Sequence, residues 1–256
     1  MMADLSSSLR SLMRTGLESY LRVYHRHDIY VDADLPEPVL LVGNHGFGGL
    51  VDLNVLVMFA VQRAVGFKRP TTALVHQVAW TVGAGKIAEA MGGQPASCES
   101  AEKAFAAGNN VLVFPGGDVD AAKPWANRNR VSLQGRSGFA RLAIERKVPI
   151  VPIVTAGAGE SLFVISDGRR LARALQLPRF LRVKALPVSV SMPWGLNVGV
   201  VGMLPYVALP TKLQTAVLPA IYPDPDEPAE KFARRVEAVM QARLDELTAN
   251  RKSVLG

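Results

Sequence analysis

Val39-Leu40-Leu41-Val42-Gly43-Asn44-His45-Gly46-Phe47-Gly48-Gly49-Leu50-Val51-Asp52 is the stretch whose reading decides how this chain folds. Its four leading apolar residues read as a buried strand that runs straight into an Asn-His pair. The glycines that follow let the backbone turn sharply and let another molecule come close. Asp52 then opens a second apolar stretch, Leu53 to Val61, of helical length. A strand thus delivers His45 to the edge of a sheet, and the following helix brings back a carboxylate. An imidazole is a general base suited to neutral pH, and an adjacent carboxylate fixes its tautomer and stabilises the imidazolium. Taken alone, the same residues serve as a helix N-cap at Asp52 and a backbone-bonded loop histidine at His45.

Outward from this stretch, apolar runs and helical patterns alternate. Asp28 to Asp32, Thr71 to Val75, Val111 to Phe114 and Val148 to Thr155 read as strands. Residues 53–63, Val78 to Met91, Cys98 to Ala107 and Arg136 to Lys147 read as helices, the third stopped by Gly108-Asn109-Asn110. This alternation predicts one α/β domain over residues 28–256, with a mixed, mostly parallel sheet flanked by helices. Pro149 and Pro152 put the fourth strand at an edge or at a bulge, because proline removes a ladder donor. Lys212 to Tyr222 reads as a last strand. After Asp226-Glu227-Pro228 comes a terminal helix whose stripe of Phe232, Val236, Val239, Met240, Leu244 and Leu247 faces the core.

Ahead of the domain, residues 1–27 hold an amphipathic helix. Over 5–26, Leu9, Leu12, Met13, Leu17, Tyr20, Leu21 and Tyr24 share one face, while Arg10, Arg14, Arg22 and Arg26 lie elsewhere. At ~30 Å it is long enough but too polar to cross a bilayer; it either packs on the domain or lies on a membrane with its arginines near anionic headgroups.

The 256 residues carry a net charge of +7, a pI of about 9.8 and a mean hydropathy of +0.17. Seven Lys/Arg stand against one acid between Lys123 and Lys147, and six against none between Arg169 and Lys184. Such stretches favour anionic partners: phosphorylated cofactors, acidic lipid or nucleic acid. Aromatics at 7% and the lack of helix-turn-helix or zinc-finger spacing argue against nucleic acid. The single cysteine, Cys98, excludes an internal disulfide and suits a reducing compartment, and the start Met-Met-Ala-Asp shows no secretory signal. Ala185 to Thr211 carries no charge, but four prolines and three glycines interrupt it. That predicts strands and loops, lining a lipid pocket, dipping into one leaflet or forming core, rather than a spanning helix.

Gly83-Ala84-Gly85-Lys86 lacks the spacing of a phosphate-binding loop, since Trp80 stands where its first glycine belongs and no Ser/Thr follows Lys86. No Gly-x-Ser-x-Gly elbow and no metal-ligand spacing around His25, His27 or His76 is present, so no metal is expected.

Asn44-His45…Asp52, Val113-Phe114-Pro115-Gly116-Gly117 and Val148-Pro149-Ile150-Val151-Pro152-Ile153 together resemble, in order and spacing, three motifs of the lysophospholipid acyltransferase (PlsC-like glycerolipid acyltransferase) superfamily. The resemblance covers roughly residues 35 to 160. It implies an acyl-CoA-dependent O-acyltransferase on the cytoplasmic face of a membrane, acylating a glycerolipid or lysophospholipid hydroxyl, with acyl-CoA as donor substrate and no cofactor. It further implies His45 and Asp52 as the catalytic dyad, and Asn44, Phe114, Pro115, Gly116 and Gly117 as substrate-binding residues. Arg128, Arg130 and Arg136 are candidates for the CoA phosphates or a headgroup.

The departures also carry information. Six residues separate His45 from Asp52 where the common motif has four, an insertion resembling the branch near the mono- and diacylglycerol acyltransferases. Gly116 stands where glycerol-phosphate acylating members carry Glu, Asp118 replaces the usual Thr-Arg, and Gln94-Pro95-Ala96 lies where a second-motif arginine is sought. These changes favour a phosphate-free or larger-headgroup acceptor. The competing reading is a non-catalytic lipid-binding protein that kept the fold.

Overall fold

Val39 to Val42 have no exposed surface, because they run through the middle of a seven-stranded sheet. A computed structural model describes residues 15–32, 35–46, 53–81, 83, 85–180, 185–199 and 206–256. The strands are β1 (Asp28–Val31), β2 (Leu40–Gly43), β3 (Thr71–Val75), β4 (Gly93–Pro95), β5 (Asn110–Val113), β6 (Ile150–Ala156) and β10 (Gln214–Val217), in the spatial order β1-β10-β6-β2-β5-β3-β4. From β6 to β4 every neighbouring pair is parallel; β10 runs antiparallel to β6, and β1 parallel to β10. A second, antiparallel sheet holds β7 (Phe163–Ser166), β8 (Val188–Ser191) and β9 (Gly195–Val198).

Period-two alternation splits the central strands between two cores. Val39, Leu41, Leu112, Val151 and Ile153 meet helix α1 (Leu53–Val65) through Leu53, Val57, Met58 and Val61. Leu40, Val42, Val111, Ile150 and Val154 meet α4 (Cys98–Ala106), α6 (Gly138–Arg146) and the terminal α9 (Ala229–Thr248) on the opposite face. The terminal helix buries Phe232, Val236, Met240 and Leu244 and packs Leu247 on the core, whereas Val239 of the expected stripe is exposed.

The same two faces fix the topology. β2 passes through α1 to β3 on one side, while β5 returns through α6 to β6 on the other, crossing β2. Right-handed crossovers running in opposite directions place their helices on opposite faces, so the carboxyl ends of β2 and β5 diverge and leave a crevice between them.

Two expectations need correction. The strand bearing Pro152 is not at an edge: β6 pairs on both sides and is wholly buried. Pro152 is tolerated because a residue's N and C=O point the same way, here toward Leu218, just past the end of β10. The Pro152 carbonyl accepts the Leu218 N–H at 3.0 Å, and the ladder to β2 loses no donor. Val78 to Met91 is not one helix but two short ones, α2 (Val78–Thr81) and α3 (Gly85–Ala90), with Gly83 between them at φ +83°. Gln94-Pro95 lies in strand β4, and the basic stretch from Arg169 forms the short helices α7 (Arg169–Ala174) and α8 (Leu177–Phe180).

The N-terminal segment is helical over residues 15–24, ending in a π-turn at Tyr20–Tyr24; residues 1–14 of the predicted helix lie outside the described residues. His25 is buried, with Nδ1 3.0 Å from the Thr211 carbonyl and Nε2 3.0 Å from the Tyr20 hydroxyl. His27 places Nε2 2.9 Å from the Thr215 hydroxyl on β10. Burial drives His27 down from 6.5 to about 4, against a smaller upward pull from Asp28. Its folded-state pKa is depressed, so the neutral ring contributes fully above pH 6.5 and its contribution is lost as pH falls toward 4. His27→Gln keeps a partner for Thr215 and removes the titration. Over that window the variant should lose at most roughly 3 kcal/mol less stability than the parent, measured by denaturant unfolding at stepped pH.

Candidate active site

The crevice between β2 and β5 is where the sequence delivers its histidine. Beyond Gly43 the β2–β6 ladder is continued by a side chain: Asn44 Oδ1 accepts the Thr155 N–H at 2.9 Å, and Nδ2 donates to the Thr155 carbonyl at 3.1 Å. Asn54 at the start of α1 donates to the Asn44 carbonyl at 2.5 Å. Asn44 is therefore buried and held by two strands and a helix, and the next residue, His45, emerges half-buried at the sheet edge.

Across the crevice, Phe114 leaves β5 and lays its ring 4.9 Å from the His45 ring, tilted by 34°. The close approach depends on Gly43, where a Cβ would sit 2.5 Å from Phe114 Cε1. The following turn is just as tight. A Cβ on Gly116 would fall 2.3 Å from Asp120 Cβ and 2.6 Å from the Ser132 carbonyl, and Gly117 adopts φ +57°. The Gly117 N–H closes this turn on the Phe114 carbonyl at 3.3 Å, and Arg136 Nη1 donates to the Pro115 carbonyl at 2.6 Å.

Helix α5 (Gly117–Ala121) ties the two loops together. Asp120 Oδ2 accepts the His45 backbone N–H at 2.7 Å, and Oδ1 pairs with Lys123 Nζ at 2.8 Å. Lys123 Nζ also donates to the Arg130 carbonyl at 2.9 Å. Both side chains of the pair are buried. A buried pair satisfied on both sides holds its geometry, whereas removing one partner leaves an uncompensated charge.

The structure thus gathers Asn44, His45, Phe114, Pro115, Gly116, Gly117 and Arg136 around one crevice. Asp52, with residues 47–51, lies outside the described residues. Arg128 is committed beside them: its guanidinium stacks 4.9 Å over Trp125, its Nη2 donates to Ser253 at 2.8 Å, and its Nε stands 3.7 Å from Glu160. Arg130 is exposed. Sequence reading missed Asp120, Lys123, Thr155 and Asn54. The available signal was the Asp-x-x-Lys spacing at 120 and 123, which puts opposite charges on one face of a helical turn. Among the described residues no three His, Cys, Asp or Glu side chains converge to hold a metal, and no helix is long and apolar enough to cross a membrane.

The sequence model of the Acyltransferase family matches residues 22–156. An uncharacterised protein of Mycobacterium leprae is 28% identical over 95% of this chain and 66% of its own length. A Gallus gallus protein described as a DGAT1/2-independent enzyme synthesizing storage lipids is 26% identical over 86% of this chain and 60% of its own. This chain therefore spans about two thirds or less of the length of these relatives. The crystal structure of the 1-acyl-sn-glycerophosphate acyltransferase PlsC from Thermotoga maritima superposes with a TM-score of 0.54 at 15% identity, covering 96% of this chain and 84% of that one. It shares the fold.

Two substitutions test the construction. Asn44→Ala strands a buried N–H and a buried C=O on Thr155, at about 1–3 kcal/mol each by the usual cost of unmet bonds, read in chemical denaturation. Asp120→Asn leaves Lys123 buried without its counter-charge, and a loss of about 3–5 kcal/mol is expected in the same assay.

Proposed function

Because the chain belongs to the acyltransferase family, we propose that it transfers a fatty acyl group from acyl-CoA to a hydroxyl of a glycerolipid or lysophospholipid. The observation that carries this reading is the position of His45 at the divergence of β2 and β5, with its ring against Phe114. Ligands of open α/β sheets bind at such a point.

In this mechanism His45 takes the proton of the acceptor hydroxyl as the oxygen attacks the thioester carbonyl. The C–S bond then breaks, the CoA thiolate leaves, and the proton returns to it. Asp52, seven residues on, orients the imidazole and balances its charge. Asn44 does not touch the reacting atoms; it holds the backbone from which His45 projects. Phe114 and the Pro115-Gly116-Gly117 turn form the opposite wall and position the acceptor. Arg136, folded over that turn, faces a phosphate of CoA or of a headgroup, and the exposed Arg130 adds positive charge, whereas Arg128 is held by Trp125, Ser253 and Glu160. Acyl-CoA is a substrate, and the chemistry needs no cofactor.

The acceptor is read as a glycerolipid without the glycerol-phosphate contacts, since Gly116 and Asp118 occupy the positions that would read that phosphate. The named activity of the Gallus gallus relative, storage-lipid synthesis, points the same way. A lipid acceptor and an acyl donor place the enzyme at a membrane surface, on its cytoplasmic face where CoA esters are found.

The test is incubation of the protein with a labelled long-chain acyl-CoA and a panel of lysophosphatidate, other lysophospholipids, monoacylglycerol, diacylglycerol and glycolipids. His45→Ala should lower transfer by about 10²–10⁴, the usual contribution of a general base, and Asp52→Asn should impair it. Unchanged transfer by His45→Ala would sink the mechanism. Lipid binding with no turnover of any acceptor would favour the non-catalytic reading.

A further inference from the structure

The sheet β7-β8-β9 is built inside out. Phe163 pairs with Val190 and Val190 with Leu196, while Val188 pairs with Val198. Alternation sends Ser189, Ser191 and Asn197 inward, at 3%, 8% and 6% exposure. Asn197 Nδ2 is satisfied there by the Ser191 hydroxyl and the Gly195 carbonyl, both at 2.7 Å. The outward row is apolar: Phe163, Ile165, Val190, Leu196 and Val198 are 43–68% exposed, and Met192 and Trp194 add 57% and 49% at the β8–β9 turn. An antiparallel sheet with one wet face ordinarily does the reverse, and a slip of one residue would restore the ordinary order. The inward polar bonds hold the register that exposes the apolar face. A contiguous exposed patch of this kind marks a contact surface.

Charge selects the partner. No Asp or Glu occurs from Gly168 to Thr211. β7 leads directly into α7, where Arg169, Arg170 and Arg173 are exposed beside Leu171 and Leu175. Leu186, entering β8, donates its N–H to the Asp167 carbonyl at 3.0 Å, so the basic helix and the apolar sheet share one edge. Arg169 pairs with Asp167 at 2.6 Å, and the positive charge that Arg170 and Arg173 add beside the apolar residues suits an anionic lipid surface rather than an acid-bearing protein partner.

We propose that the outward face of β7-β8-β9 docks the protein on an anionic bilayer, with Trp194 and Leu196 leading into the acyl region and the α7 arginines at the headgroups. The face adjoins the crevice. Phe163 lies 5.3 Å from the Trp125 ring, over which Arg128 stacks, and Ala158, ahead of β7, crowds Gly46 beside His45. The proposal deepens the acyltransferase reading and rests on it only for what the docked face delivers; docking itself needs no turnover.

The test is sedimentation of the protein with vesicles of phosphatidylglycerol and phosphatidylcholine. The parent and His45→Ala should bind alike, with weaker binding to phosphatidylcholine alone. Leu196→Glu/Val198→Glu, altered where the chain is already exposed, should keep the parent's thermal unfolding and lose at least about tenfold in partition. A nitrobenzoxadiazole label at Leu196→Cys, in a Cys98→Ser background, should brighten on vesicles, while one at Ala242→Cys on α9 should not. Equal partition of the double variant, or a label at position 196 that stays in water while the protein sediments, would overturn the proposal. So would a lipid-free dimer that the double variant dissociates, which would assign the face to a second copy. Docking without turnover of any lipid overturns the reaction alone. Turnover of a water-soluble acceptor without docking overturns the docking face alone.

Discussion

The pairing of the Asn44 amide with the Thr155 backbone is the constraint on which the site depends. A carboxamide carries a donor and an acceptor at the spacing of a peptide group, so Asn44 extends the β2–β6 ladder one rung after its own backbone has left it. The main chain can then turn outward at His45 without orphaning the buried polar groups of Thr155. The Thr155 hydroxyl lies 2.9 Å from that of Thr215, which lies 2.9 Å from His27 Nε2. Polar contacts thus run through β6 and β10 to the residues just ahead of β1. Thr155, the residue that Asn44 grips, thus also stitches the sheet across its antiparallel junction.

From the other side, the Asp120–Lys123 pair does for the β5 loop what Asn44 does for β2. A buried ion pair is weak evidence for stability, because desolvation opposes its attraction. Its value here is positional: one carboxylate oxygen is held by Lys123, leaving the other fixed on the His45 N–H. The glycines at 43 and 116 make this possible by letting Phe114 and Asp120 approach backbone directly. His45 and the Phe114 turn are consequently joined through the Asp120 carboxylate, so distortion of either bears on the other.

The parts of this arrangement that obey periodicity were legible in the chain. Val39 to Val42 and Val111 to Phe114 read as buried strands and are central ones, and the uncharged stretch 185–211 read as strands and loops and holds β8 and β9. Pro152 misled because a proline's cost depends on which side its nitrogen faces, a property of pairing rather than of sequence. Val78 to Met91 misled because Gly83 breaks a pattern that is otherwise apolar and helical. In the site, residue types that announce chemistry stood out, whereas Asp120, Thr155 and Asn54 did not. Their roles arise from contacts across 10 to 111 positions of sequence, which no local spacing encodes.

The two sheets use one alternating code with opposite sense, and the difference follows from what covers them. In the seven-stranded sheet both faces meet helices, so apolar residues at even and odd positions are equally at home and the central strands read as continuous runs. In β8 the sequence Val188-Ser189-Val190-Ser191-Met192 alternates cleanly, which ordinarily promises a polar outer face. Ser189, Ser191 and Asn197 fill the inner side beside Val164 instead, Asn197 bonding Ser191, and Val190 turns outward. β7 follows β6 by a single turn, and β6 ends at the same edge as His45. Chain connectivity therefore sets the apolar face of the second sheet beside the crevice.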